Sequence, residues 1–294
     1  MTKKIIALTI LIATVFSFTT FAAKNNRGIN TRNGGGGDYV VAYKAVQMSI
    51  PALMYHDVTH NPAEASDWTV TKEMLAADFL EIKERGYTPI TVAEYAEMKK
   101  LSNSLVSSGN YNKVADFFRK NPKPIIITFD DGYKGIYNYV FPLLKEFGFK
   151  ASFYVCGEYI DTQNPAYCTW GELKEMADSG LCDIGNHTYS LHKYIKEDLG
   201  HVYLADFATA KADINKNRSA ILENTGVYTK AYSFPYGLYD EIILSKLKSD
   251  YDIFISTDYR INYIRDKQPA LGRFNRSAFI PTEEYFDMVD SKCK

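Results

Sequence analysis

The sequence predicts an α/β fold in which a parallel sheet, covered by helices, closes into a barrel. Three observations carry that reading. Short runs of consecutive apolar residues, typical of strands buried on both faces, recur along the chain. Between them lie segments whose apolar residues repeat at helical spacing. The part that folds is about 250 residues long, which suits a barrel better than an open sheet. In either arrangement function belongs at the carboxyl ends of the strands.

Ile50 to Tyr55 is the first apolar run. Thr71 is placed to cap a helix that carries Leu75, Phe79 and Ile82 on one face and stops at Gly86. Thr91 with Glu94, and Thr169 with Glu172, form capping-box patterns that mark two more helix starts. Ile125 to Phe129 is a β-branched run too short for a helix, and after it Ile136, Val140, Leu143 and Phe147 fall at helical spacing before Gly148. Pro142 brings no N–H and crowds the preceding turn, so that helix should kink or break late. Lys150 to Val155, Cys182 to Gly185, Ala231 to Phe234 and Ile253 to Ser256 read as further strands, with helical patterns around Leu204 to Leu222 and Glu241 to Leu247. Ser102 to Pro122 is polar and then helical from Val114 to Phe118, an insertion between strands that could lie over the site.

Composition excludes some functions. A formal net charge of -1 offers no basic field for nucleic acid or an anionic membrane surface. The 23 tyrosines suit stacking on sugar rings, although ordinary packing accounts for them equally well. At the start, Lys3 and Lys4 precede an apolar run from Ile5 to Phe21 and the small residues Ala22 and Ala23. That is the layout of a secretory signal over residues 1–22, with cleavage after Ala22 favoured over retention as an anchor. Residues 23–38, including Asn33 and the glycines 34–37, read as a flexible tether to a folded part at 39–294. The expected location is outside the cytoplasm, secreted or at the cell surface, with membrane contact only through an uncleaved N-terminal segment. Cys156, Cys168, Cys182 and Cys293 allow three full pairings, and their spacing argues against a thiolate metal site. Cys156 reads as simply buried. Nothing in the sequence sets an oligomeric state.

The candidate chemistry sits at two strand ends. Asp130-Asp131-Gly132 follows the Ile125 strand directly, and two adjacent carboxylates repel unless a cation or a shared proton relieves them. His187 and His192, two of only five histidines, follow the Cys182 strand. Imidazole and carboxylate together are ordinary ligands of zinc and similar divalent metals. Singly each group has a bland reading as a turn or a hydrogen-bonding residue; together they favour a metal site.

These residues resemble the polysaccharide deacetylase family, the NodB-homology domain of carbohydrate esterase family 4 type. The resemblance rests on Leu53-Met54-Tyr55-His56, Gly86-Tyr87-Thr88-Pro89-Ile90, Ile127 to Gly132, Ala151 to Val155, His187 to Ser190 and Phe234-Pro235-Tyr236-Gly237, in that order. It implies a distorted (β/α) barrel of seven strands and hydrolysis of N-acetyl groups on N-acetylglucosamine-type polysaccharide. It assigns Asp130 as general base and Asp131, His187 and His192 as metal ligands. The backbone N–H of Tyr236, held by Pro235, becomes the oxyanion donor.

Departures from the common pattern refine this. The two histidines are five apart instead of four, which looks like the branch acting on poly-N-acetylglucosamine. The usual Arg before Pro-Tyr-Gly is Ser233, and no His follows His201 to form the late Leu-x-His motif. In that branch an early Met-Tyr-His supplies the general acid, here His56. Arg273 on a late strand could take over the orientation of Asp130 by charge-assisted hydrogen bonds. Asp258-Tyr259 loosely matches an Asp-Trp pair that supports the family's site. Trp170 follows a helix cap and reads as packing, while His60 and His201 read as solvated. Zinc is the expected metal, with cobalt, nickel or iron acceptable to the same donors. Peptidoglycan is the alternative polymer, and a binding protein that has lost turnover is the alternative of another class.

Overall fold

The computed structural model describes residues 36–103, 111–192 and 207–293; the expected export segment, most of the tether and His201 lie outside the described residues. The strands are β1 (Ser49–Ile50), β2 (Ala52–Tyr55), β3 (Asp57–Thr59), β4 (Thr69–Thr71), β5 (Thr88–Ile90), β6 (Pro124–Phe129), β7 (Ala151–Val155), β8 (Cys182–Asn186), β9 (Ala231–Ser233), β10 (Ile253–Ile255), β11 (Asn262–Tyr263) and β12 (Phe274–Asn275). The α-helices are α1 (Gly36–Ala45), α2 (Lys72–Glu84), α3 (Val92–Asn103), α4 (Tyr111–Lys120), α5 (Phe141–Phe147), α6 (Gly157–Asp161), α7 (Trp170–Asp178), α8 (Phe207–Thr225), α9 (Glu241–Leu247) and α10 (Thr282–Lys292).

One parallel sheet runs in the order β10-β9-β8-β7-β6-β2-β12, with β5 paired to the amino half of β6. Its two edges meet through a bridge between Ile255 and Leu271 and a hydrogen bond from Arg273 N–H to the Asp258 carbonyl at 2.9 Å. The result is the distorted seven-stranded barrel. Two ladders lie outside it, the antiparallel pair β1-β11 and the parallel pair β3-β4.

The period of two along β6 decides what faces where. Ile125, Ile127 and Phe129 pack outward with Leu75, Phe79 and Ile82 of α2, while Ile126 packs with Ala52, Tyr154, Ile255 and Leu271. Asp130 continues the second row, and so points into the barrel mouth instead of toward the helices.

Local chemistry explains the helix ends. Both capping boxes form, Thr91 with Glu94 and Thr169 with Glu172, and Thr71 Oγ1 accepts from Met74 N–H at 3.2 Å. The Pro142 effect appears upstream of the proline. Residues Ile136–Val140 form a π-turn, and the regular helix restarts at Phe141 with Pro142 in its first turn, where a missing N–H costs nothing. The Ser102 to Pro122 insertion does not cover the site, as far as it is described. Val114, Ala115 and Phe118 of α4 pack with Ala42 and Ala45 of α1, and α4 leads into the amino end of β6, opposite the carboxyl ends where the chemistry gathers. The first described helix opens at Gly36, inside the Gly-rich stretch, because burial of Ala42 and Ala45 outweighs glycine's poor helix propensity. The four cysteines are free thiols. Among the described residues no helix is long and apolar enough to cross a membrane.

Asp183, near the amino end of β8, is remote from those carboxyl ends. It accepts from Ser152 Oγ and from Ala93 N–H, both at 3.3 Å, and burial pushes its carboxyl up to about 6. A raised folded-state value favours the neutral acid, so its contribution to stability is complete below about pH 4 and is lost as pH rises through about 6. Asp183→Asn should therefore stabilise at pH 7.5, by at most about 2 kcal/mol given its partial exposure, and be neutral near pH 4. Thermal unfolding of both proteins across that range checks it.

Candidate active site

A cleft of about 500 Å³ opens at the carboxyl ends of the strands, lined by His56 after β2, Asp130 and Asp131 after β6, His187 and His192 after β8, and Phe234 and Tyr236 after β9. Of the four described non-glycine residues with positive φ, three are here: Asp131 at 73°, Thr188 at 73° and Tyr236 at 57°. Such conformations cost roughly 1–3 kcal/mol each and persist only where neighbours enforce them. At Asp131, Gly132 N–H donates back to the Asp130 carbonyl and Cys168 N–H donates to the Gly132 carbonyl, both at 3.0 Å. At Tyr236, Gly237 follows at φ 70°, packed so close to Thr257 that a Cβ would collide with it.

The turn at Asp131 sends the two carboxylates to different partners. Asp131 Oδ1 is buried with no hydrogen-bond partner, and it lies 3.5 Å from His187 Nε2 and 3.4 Å from His192 Nε2. His187 Nδ1 lies 2.8 Å from the Ser233 carbonyl, which accepts a proton only if Nδ1 carries it; that leaves the Nε2 lone pair aimed at Asp131. Burial pushes His192 down to about 4, so its imidazole is neutral and able to ligate. For His187 burial works the same way, but Asp130 and Asp131 outweigh it and raise the imidazole, so a proton and a metal compete for this group. A buried, unsatisfied carboxylate oxygen facing two imidazole nitrogens is the donor set a divalent cation requires, and the residues fit one. Cys156 Sγ also lies within 4.8 Å of ligand atoms of Asp131 and His187. It donates to the His187 carbonyl at 3.3 Å, and burial pushes its thiol well above the usual range, which leaves it protonated.

Asp130 is matched instead with Arg273. Nη1 donates to Oδ1 at 2.8 Å and Nη2 to Oδ2 at 2.7 Å. The remaining guanidinium donors reach Thr128 Oγ1 at 3.1 Å, Ser233 Oγ at 3.3 Å and the Ser256 carbonyl at 2.9 Å, so all five N–H groups of a fully buried arginine are used. Burial would raise the Asp130 carboxyl, but Arg273 and then His187 override it and hold it well below the usual carboxylate range. Burial lowers His56, against the pull of Asp130 and Asp131, and its buried Nδ1 has no hydrogen-bond partner. The ring of Tyr236 lies 4.6 Å from that of His192. Asp258 does not reach the cleft with its side chain, which accepts from Tyr239 Oη at 2.9 Å; its contribution is the carbonyl that holds Arg273 N–H. Trp170 donates to Asp161 Oδ1 on α6 and packs, and His60 pairs with Tyr139.

Sequence reading missed Asp213. From α8 its carboxylate accepts from Tyr189 N–H at 2.7 Å, Ser190 N–H at 2.9 Å, Ser190 Oγ at 2.7 Å and Thr188 Oγ1. These are the residues between the two histidines, so one side chain sets the loop that aims both. Tyr159 adds a second brace, donating to the His192 carbonyl at 2.8 Å. Asp213→Ala should lower metal affinity about 10- to 100-fold, the usual size of an outer-shell effect, while Asp213→Asn, which keeps an acceptor, should lose less. Calorimetric titration with zinc measures it; equal affinity in parent and alanine variant would remove the role.

The sequence model of the polysaccharide deacetylase family matches residues 119–250, which include Asp130, Asp131, His187, His192, Pro235 and Tyr236. A poly-β-1,6-N-acetyl-D-glucosamine N-deacetylase of Escherichia coli K12 is 24% identical over 240 residues, covering 70% of this chain and 34% of that protein. One of Staphylococcus aureus MSSA476 is 24% identical over 188 residues, covering 63% of this chain and 59% of that protein. The chain thus spans about a third of the first relative and under two thirds of the second. The solved structure of IcaB from Ammonifex degensii shares the fold, with a TM-score of 0.66 at 20% identity over 84% of this chain and 98% of that one. Sequence match and fold point the same way: residues 119–250 match the polysaccharide deacetylase family model, and the chain shares the fold of the solved IcaB structure.

Proposed function

We propose that the protein is a metal-dependent hydrolase that removes N-acetyl groups from an N-acetylglucosamine polymer of the poly-β-1,6-linked type. The observation that carries this is the division of labour at one strand tip. Asp131 offers a bare buried oxygen to two imidazoles, and its neighbour Asp130 is neutralised separately by Arg273. The polymer is chosen on the named relatives and the five-residue histidine spacing. Export, as the N-terminal stretch predicts, would bring the protein to such a polymer.

Asp131, His187 and His192 would hold the cation, for which we infer zinc. When bound, it acidifies a water and polarises the acetyl carbonyl. Asp130, ionised at every working pH, accepts the proton of the attacking water. Arg273 keeps that carboxylate in one orientation while it does so. The backbone N–H of Tyr236 donates to the oxygen that gains negative charge. His56 gives a proton to the departing amine as the C–N bond breaks, leaving acetate and a free amino sugar.

Acetate release from poly-β-1,6-N-acetylglucosamine oligomers and from peptidoglycan fragments tests the reading. The expected result is release from the first, abolished by chelator and restored by zinc. Asp130→Asn should lower kcat about 10²- to 10⁴-fold. Turnover that survives either treatment would overturn the mechanism, and release from peptidoglycan alone would reassign the polymer.

A further inference from the structure

Trp68 has no part in the chemistry above, yet it is the most conspicuous apolar group in the cleft. Its indole is 55% exposed and lines the same cavity as Asp130, Asp131 and both ligand histidines. It stands edge-on to His56, with ring centroids 4.8 Å apart and planes at 77°. What sets it apart from other exposed apolar side chains is its place in the wall of that cleft, where covering it with a ligand would remove apolar surface from water.

The backbone beneath the ring is tied down. In the β3-β4 ladder, Asp57 N–H donates to the Trp68 carbonyl at 3.1 Å. Ser66 Oγ accepts from Trp68 N–H at 3.2 Å and from Thr69 N–H at 3.0 Å. The exit from β12 holds the same turn: Asn275 Nδ2 donates to the Asp67 carbonyl at 3.0 Å, Ser277 Oγ to Asp67 Oδ1 at 2.7 Å, and Ala278 N–H to the Ser66 carbonyl at 3.0 Å. An exposed indole on such a frame is preorganised to present its flat face to a ligand, and loses little entropy on binding one.

We propose that Trp68 is the sugar platform of the cleft. Its indole face stacks on the apolar C–H face of the pyranose ring that carries, or adjoins, the acetamido group being hydrolysed. It thereby selects a polymer of pyranose rings over a bare N-acetyl compound. The inference rests on the deacetylase reading and deepens it by naming the group that recognises the sugar.

Two measurements on the full chain decide it. Trp68→Ala should raise KM for an N-acetylglucosamine tetramer about tenfold, the size of one aromatic stacking contact, with a smaller change in kcat, and Trp68→Tyr should restore most of the loss. The protein has two tryptophans, so Trp170→Phe leaves Trp68 as the only indole emitter. In that variant, carrying Asp130→Asn to stop turnover, the tetramer should shift the emission to the blue and shield it from iodide quenching. If the parent deacetylates the tetramer while Trp68→Ala keeps its KM and the single-tryptophan emission does not respond, the platform is wrong and the deacetylase reading stands. If the emission responds but no acetate is ever released, the platform stands and the deacetylase reading falls. A loss confined to kcat with a shifted pH profile would make Trp68 a cover for His56, against the proposal.

Discussion

Two consecutive carboxylates buried at the tip of one strand are the constraint on which the rest of this molecule depends. Asp130 and Asp131 both line the cleft yet are largely buried, and both are held below the usual carboxylate range. Buried anions side by side require a separate positive partner each. The positive φ at Asp131 makes this possible, because it turns two neighbouring side chains toward different targets. Arg273 supplies that partner to Asp130 from the closing edge of the barrel, and for Asp131, faced by the imidazole nitrogens of the β8 loop, it would be the cation that all three groups could hold. The seam between β10 and β12 is therefore electrostatic as well as a backbone closure. The arginine that serves Asp130 also bonds the Ser256 carbonyl beyond β10 and Thr128 of β6.

The same constraint explains where the fold spends stability. Three strained residues at the cleft cost roughly 3–9 kcal/mol together, a large share of the 5–15 kcal/mol that holds a domain folded. Each is braced from outside its own turn: Asp131 through Cys168, Thr188 through Asp213, Tyr236 through Thr257. A second buried ion pair does comparable work on the outer face. Arg276, just past β12, holds Asp78 of α2 in two bonds of 2.8 and 3.0 Å, and Tyr55 and Thr282 complete that carboxylate's shell. The helix that covers β6 is thus anchored to the carboxyl end of β12, the strand that Arg273 precedes.

What the sequence made legible, and what it did not, follows from the range of each signal. Apolar runs, capping boxes and the residues after β6 and β8 are local patterns, so the parallel barrel and the candidate ligands could be read directly. Arg273 could be singled out because the resemblance calls for an arginine on the base, Ser233 stands where it usually lies, and Arg273 sits on a late strand. Asp213 could not, since an Asp among Lys211, Asn215 and Lys216 looks like any solvated helix face until the fold turns it onto the β8 loop. Trp68 was passed over for the same reason, because exposure belongs to the tertiary structure. The short strands β3, β4 and β5 carry Asp57, Thr59, Thr69, Thr71, Thr88 and Pro89 and so present no apolar run, and the insertion at Ser102 to Pro122 found its partner in α1, a contact no spacing encodes.

The electrostatics also bear on how a base held this low could work. A carboxylate clamped by a buried guanidinium is a weak base, and by the Brønsted argument a weak base is a poor final owner of a proton. Its advantage is that it stays ionised near neutral pH and is held in one orientation by two hydrogen bonds from Arg273. In the proposed reaction the proton taken by Asp130 should rest there only briefly. His56 lines the same cleft; burial lowers its imidazole, both carboxylates draw it toward protonation, and its Nδ1 has no hydrogen-bond partner. A neutral imidazole is a better proton acceptor than a clamped carboxylate and, once protonated, a competent donor to an amine. The arrangement thus favours one-way transfer, from water through Asp130 toward the side of the cleft where the amine departs. In that reaction Arg273, by weakening the base, would give the transfer its direction.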